Sequence, residues 1–127
     1  RLRCDWSSDV CSSDLTANDH LDDFIKYGGL SARAESYLSG ADPKNPLASA
    51  LYADLRGLPP LLVHVGSAET LLDDSTRLAA LAEEAGVDLT LKIWDDMVHV
   101  WQAFASILPE GQQSIDETGA FIRAKLA

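Results

Sequence analysis

The order of apolar segments points to an α/β architecture in which parallel strands carry the functional groups. Leu61-Leu62-Val63-His64-Val65-Gly66 is a short apolar run without alternation, the pattern of a strand buried on both faces of a parallel sheet. Asp88-Leu89-Thr90-Leu91-Lys92-Ile93-Trp94 is a second strand-length run, and a stretch of helical periodicity separates the two. Strand, helix, strand requires a right-handed crossover and a parallel pair. Each strand also runs straight into a polar segment: Gly66-Ser67-Ala68-Glu69-Thr70-Leu71-Leu72-Asp73-Asp74 after the first, and Trp94-Asp95-Asp96-Met97-Val98-His99 after the second. A carboxylate and an imidazole are thereby delivered to the carboxyl ends of neighbouring strands, where open α/β sheets build their sites.

From the N-terminus onward, residues 1–15 differ in texture from everything after Thr16: they repeat Ser-Ser-Asp and show neither helical nor strand period. Cys4 to Leu15 resembles the conceptual translation of a common short-read sequencing adapter. Residues 1–15 are therefore expected to be a non-native tail, and residues 16–127 the native part. Both cysteines, Cys4 and Cys11, lie in that tail, and no further Cys remains to complete a disulfide framework or a metal site. Residues 16–28 are polar and aperiodic. Leu30, Ala34, Tyr37 and Leu38 then share a helical face that ends at Gly40. Four prolines and the pairs Asp42-Pro43 and Asn45-Pro46 make residues 41–60 a structured surface loop, held down by Leu47, Leu51, Tyr52 and Leu55.

After the first strand, Asp73 or Asp74 suits the start of a helix. Leu78, Leu81, Ala82 and Ala85 form its buried stripe, Arg77, Glu83 and Glu84 its wet face, and Gly86 its end. In the second strand, Leu89, Leu91 and Ile93 alternate with Asp88, Thr90 and Lys92, which predicts one exposed face and a place near the sheet edge. A last helix runs from Pro109, with Ile115, Thr118, Ile122 and Leu126 on one side. Two strands are too few for a sheet meant to be covered on both faces, so the free edge of the first strand is expected to meet strands outside this chain, and the isolated chain to fold marginally or aggregate.

Composition narrows the partners. The chain has 127 residues, 46% hydrophobic, with a formal net charge of −10. Such acidity argues against nucleic acid and against an anionic membrane surface. No apolar run reaches the length of a membrane span and the N-terminus lacks a signal-peptide layout, so the expectation is a cytoplasmic protein acting on neutral small molecules.

A serine hydrolase needs both groups that the strands deliver: the imidazole takes the nucleophile's proton, and the carboxylate fixes its tautomer. His99 is the imidazole, and either Glu69 or Asp73 is the carboxylate, Asp73 being equally suited to a helix N-terminus. His64, mid-strand among apolar residues, reads as a core imidazole satisfied by backbone, and His20 has no partner in sequence. Ser67 is not a nucleophile elbow, because Val65 and Glu69 stand where that sharp turn needs glycine. No G-x-S-x-G occurs in the chain. Asp95 and Asp96 read as a solvated turn.

From about Leu30 to Leu126 the sequence resembles the C-terminal part of the bacterial hormone-sensitive-lipase-like esterases, a branch of the α/β-hydrolase superfamily. The likeness rests on Tyr37-Leu38 before Asp42-Pro43, on Leu51-Tyr52-Ala53-Asp54-Leu55-Arg56-Gly57-Leu58-Pro59-Pro60-Leu61-Leu62, on Gly66 to Ser75, and on Met97-Val98-His99-Val100-Trp101. It implies a partial α/β-hydrolase fold, the last two parallel strands with flanking helices, from a three-layer αβα parent. By position it makes His99 the general base and Glu69 the acid that orients it, although many relatives carry Asp there and Pro-Gly where Asp95-Asp96 stand. Val100, Trp101 and Phe104 would line the pocket for the ester's apolar part or, as an equal alternative, pack the final helix. The implied reaction is hydrolysis of short to medium acyl esters by double displacement, without metal or cofactor, in a parent that could pair as a homodimer. The family's H-G-G-G oxyanion loop and G-D-S-A-G elbow lie upstream and are missing here, so this chain is expected to be inactive. A non-catalytic βαβ interaction module is the rival reading, and amidases share similar scaffolds.

Overall fold

The computed structural model describes residues 18–126, the side chain of Leu126 excepted. The expectations for residues 1–15, including the foreign tail and the two cysteines, lie outside the described residues. Helix α1 covers Tyr27–Leu38 and ends where Ser39 and Gly40 enter left-handed backbone, at φ 47° and 86°. It starts earlier than the periodicity suggested, and of the expected face only Ala34 is buried, Tyr37 being 74% exposed. Spacing marks which residues share a face; it does not supply the surface that covers them. The loop that follows is shaped by side chains that mimic backbone turns: Asp42 Oδ1 accepts from Lys44 N–H at 2.9 Å and Asn45 Oδ1 from Leu47 N–H at 3.0 Å. A short 3₁₀ turn, Ala50–Tyr52, leads to Leu55, which is buried and anchors the loop. Leu47 does not: it is 91% exposed.

Strand β1 is Leu61–Gly66 and strand β2 is Leu89–Trp94, paired in parallel from Leu61↔Leu89 to Gly66↔Trp94. Between them runs helix α2, Leu72–Glu84. Its expected stripe is the one that packs: Ala82 is fully buried beside Leu55 and Val87, with Leu78, Leu81, Ala85, Leu61 and Leu89 around them. The helix closes in a Schellman motif, Val87 N–H reaching Ala82 O at 2.8 Å and Gly86 N–H reaching Glu83 O at 3.0 Å. Gly86 makes the turn possible at φ 71°. Leu71 occupies the N-cap with no side-chain cap bond, so Asp73 and Asp74 fall inside the first turn and not at the cap. They still meet the positive end of the helix dipole there.

Helix α3, Pro109–Leu126, covers the opposite face of the pair. Because side chains alternate along a strand, Leu61 and Leu89 look toward α2 while His64, Lys92 and Trp94 look toward α3. Lys92 Nζ bridges both oxygens of Glu117 at 2.7 Å and lies 4.0 Å from the centre of the Trp94 ring. The prediction of one exposed face for β2 therefore fails: Trp94 is buried, on the side opposite to Leu89 and Leu91, and Ile93 is half exposed. The face of α3 is also rotated from expectation. Gly111 and Ser114 are buried, whereas Ile115 and Ile122 remain exposed. A second 3₁₀ turn, Trp101–Phe104, connects the end of β2 to α3 and buries Trp101 against Trp94, ring centres 5.8 Å apart.

His64 is a core residue, as read, but its partner is a hydroxyl and not backbone: Nδ1 lies 2.8 Å from Ser114 Oγ, which also accepts from Gln102 Nε2 at 3.2 Å. Burial, and to a lesser degree Lys92, lower the His64 pKa against the opposing pull of Glu117.

Candidate functional site

The site forms where β1 and β2 end. Gly66 closes β1, and a Cβ placed on it would lie 2.0 Å from the Met97 carbonyl oxygen, so only glycine permits the two post-strand loops to touch here. Once in contact they are stitched together. Ser67 N–H donates to Trp94 O at 2.8 Å, Ala68 N–H to Met97 O at 3.1 Å, and Asp96 N–H to Ser67 Oγ at 2.9 Å. Asp96 holds left-handed backbone at φ 55° to make that turn, and both Asp95 and Asp96 are exposed, as a solvated turn should be. Ser67 thus has a structural hydrogen bond across the loops.

Within this frame Glu69 folds back beneath its own turn. Its Oε1 accepts from Gly66 N–H at 2.9 Å, and its Oε2 lies 2.8 Å from His99 Nδ1. Glu69 is buried, while the His99 side chain remains 28% exposed. A carboxylate can only accept, so the hydrogen sits on Nδ1 and the lone pair is left on Nε2, the form in which an imidazole can take up a proton. Of the two candidate carboxylates, the fold brings Glu69 to the imidazole and commits Asp73 to the first turn of α2.

Sequence reading missed a third layer. Asp22 is fully buried. Its Oδ1 accepts from Phe24 N–H and Ile25 N–H, both at 2.9 Å, and its Oδ2 from Thr70 N–H, next to Glu69, at 3.0 Å. Burial alone would raise the Asp22 pKa, but the N–H groups of Thr70, Ile25 and Phe24, with the nearby charge of His99, hold the carboxyl below its usual value. Thr70 Oγ1 returns a bond to Ile25 O at 2.8 Å, and Asn18 Nδ2 reaches Ser67 O at 3.0 Å and Glu69 O at 3.2 Å. Asn and Asp in an aperiodic polar stretch signal a turn, but a partner 48 residues away leaves no local trace.

The three expected pocket residues divide. Val100, in left-handed backbone at φ 54°, and Phe104 stay at the surface, and the Phe104 ring lies 6.0 Å from that of Phe24. Trp101 takes the packing alternative, since its contact with Trp94 leaves it 2% exposed and part of the core. Among the described residues no group of three or more His, Cys, Asp or Glu side chains converges as a metal site, and no helix is long and apolar enough to cross a membrane.

Residues 7–103 match a family profile described as alpha/beta hydrolase fold. The chain is 49% identical over 94 residues to an acetyl-hydrolase of Streptomyces hygroscopicus, covering 74% of this chain and 31% of that one. It is 38% identical over 113 residues to an esterase of Acinetobacter venetianus, covering 88% and 37%. Among solved structures it superposes on an esterase/lipase from an uncultured bacterium with a TM-score of 0.85 at 50% identity, covering 91% of this chain and 39% of that one. On an esterase from the bacterial hormone-sensitive lipase family the TM-score is 0.86 at 52% identity, covering 89% and 38%. The chain therefore spans about a third of the length of these curated relatives.

Proposed function

We propose that this chain, which belongs to the α/β hydrolase fold family, supplies the acid and the base of a serine carboxylesterase. The observation that carries the proposal is the 2.8 Å contact between Glu69 Oε2 and His99 Nδ1 at the carboxyl ends of adjacent parallel strands. In the complete enzyme His99 Nε2 takes the proton of a serine hydroxyl as that oxygen attacks the ester carbonyl, and Glu69 stabilises the imidazolium that results. The imidazolium returns the proton to the departing alcohol, and a water then repeats the sequence on the acyl-enzyme. On this reading the serine and the oxyanion donors lie outside residues 16–127, which form the C-terminal part of the catalytic domain and are inactive alone. Short to medium acyl esters are the substrate class. Names such as acetyl-hydrolase and esterase among the relatives support this, as do the exposed apolar Val100 and Phe104 that follow the base in sequence. A cytoplasmic location and pairing of complete copies belong to the same reading, and fractionation and sedimentation test them.

The test is to read the source DNA through the junction ahead of Thr16, express the complete frame, and assay aryl esters of graded acyl length beside the matching anilides. Ester turnover abolished by His99→Ala, together with labelling by a serine-reactive phosphonate, is the expected result. Anilide cleavage without ester cleavage would make the enzyme an amidase. Ester turnover by the 127-residue chain, abolished by the same substitution, would show that the nucleophile lies within it.

A further inference from the structure

Asp22 is a fully buried carboxylate outside the Glu69–His99 pair, and among the described residues no lysine or arginine side chain hydrogen-bonds to it. A buried charge is costly unless its oxygens are satisfied. Here three backbone N–H groups satisfy them, and they belong to two separate stretches of chain: Phe24 and Ile25 on one side, Thr70 on the other. The carboxylate is therefore a rivet between residues 18–25 and the turn that carries Glu69. Three further hydrogen bonds close the same seam, Thr70 Oγ1 to Ile25 O and Asn18 Nδ2 to the carbonyls of Ser67 and Glu69. From the other side the turn is held by the β2 loop, through Trp94 O, Met97 O and Asp96 N–H. A Glu side chain has one more rotatable bond than Asp, so a glutamate in this role depends more on a turn that does not move.

We propose that Asp22, with Asn18, is a positioning residue for the acid–base pair: the seam it forms fixes the Glu69 turn and so keeps the hydrogen of His99 on Nδ1. The inference rests on the esterase reading for its significance, but its geometry does not need the nucleophile. Asp22 touches no reacting atom. Its effect passes through Thr70 to the residue beside it.

Asp22→Asn isolates the seam. The new amide keeps Oδ1 for Phe24 and Ile25 but turns an N–H₂ toward the Thr70 N–H, donor against donor. The complete enzyme, expressed from the full frame and isotope-labelled at its histidine nitrogens, reports the tautomer of His99 directly above the ordinary imidazole titration range, with His99→Asn assigning the signal. In the unaltered chain His99 is expected as the Nδ1–H form. Asp22→Asn and Asn18→Ala should each shift it to a mixture with the Nε2–H form, and Glu69→Ala should abolish the preference. A purely structural seam would lower the melting temperature and leave the tautomer alone. If Asp22→Asn loses its far-ultraviolet dichroism, Asn18→Ala, which spares the buried carboxylate, decides. Nδ1–H persisting in the folded variants overturns this proposal alone. An unaltered chain already in the Nε2–H form overturns both it and the acid–base reading.

Discussion

Glu69 and Asp73 lie one helical turn apart in sequence, and residue types alone leave both as partners of His99. The fold separates them by placing one before α2 and one inside it. In the complete enzyme Glu69→Ala should lower kcat by about 10⁴-fold, as loss of the orienting acid does elsewhere, while Asp73→Asn should cost less than about tenfold; initial rates on an aryl ester separate the two. His64 gives a prediction about pH. Its folded-state pKa lies below the ordinary 6.5, first because burial penalises the charged ring. The unfolded chain therefore binds the proton first as pH falls, so the contribution of His64 to stability is complete above pH 6.5 and is lost as pH drops below it toward the folded value. Urea midpoints measured across that interval should decline for the parent and flatten for His64→Gln.

At the scale of elements, both strands, α2 and the terminal helix were legible, because runs of apolar residues at strand length and a 3.6-residue stripe have few other solutions. The stripe of α2 was read correctly since its neighbours, β1, β2 and Leu55, are all present to cover it. On α3 the same reasoning chose Ile115 and Ile122, yet the packed positions are Gly111 and Ser114. Small residues carry little hydrophobic signal, although they are what lets a helix approach closely. The pairing of Glu69 with His99 is legible because each follows a strand directly; Asp22 is not, because its partners lie far away in sequence. Two glycines can be compared at this scale. Gly66→Ala drives a Cβ into the Met97 carbonyl and should cost about 3 kcal/mol. Gly86→Ala meets open space and has only its φ of 71° to contend with, which should cost about 1 kcal/mol. Equilibrium urea unfolding orders the two.

At the scale of the molecule, the described residues keep few apolar side chains out of water. Leu55, Ala82 and Val87 form one small cluster and Trp94 and Trp101 are buried together, while Leu47, Ile107, Ile115 and Ile122 among others are exposed. Burial on that scale stabilises weakly against the entropy of ordering the chain. The isolated chain should show a broad, low-temperature melt by circular dichroism or form aggregates in sedimentation; a sharp transition from a soluble monomer would contradict this. The contact between Gly66 and Met97 bears on how chains of this fold can be recombined. Because a missing Cβ on one loop is matched to a carbonyl on the other, and because the Glu69 turn is riveted in turn to residues 18–25, the stretch from Asn18 to Phe104 should behave as a single inheritable cassette. A chimera joined inside it would pair an acid from one parent with a base from another across a surface that neither was selected to fit, whereas a crossover ahead of Asn18 would carry both over together.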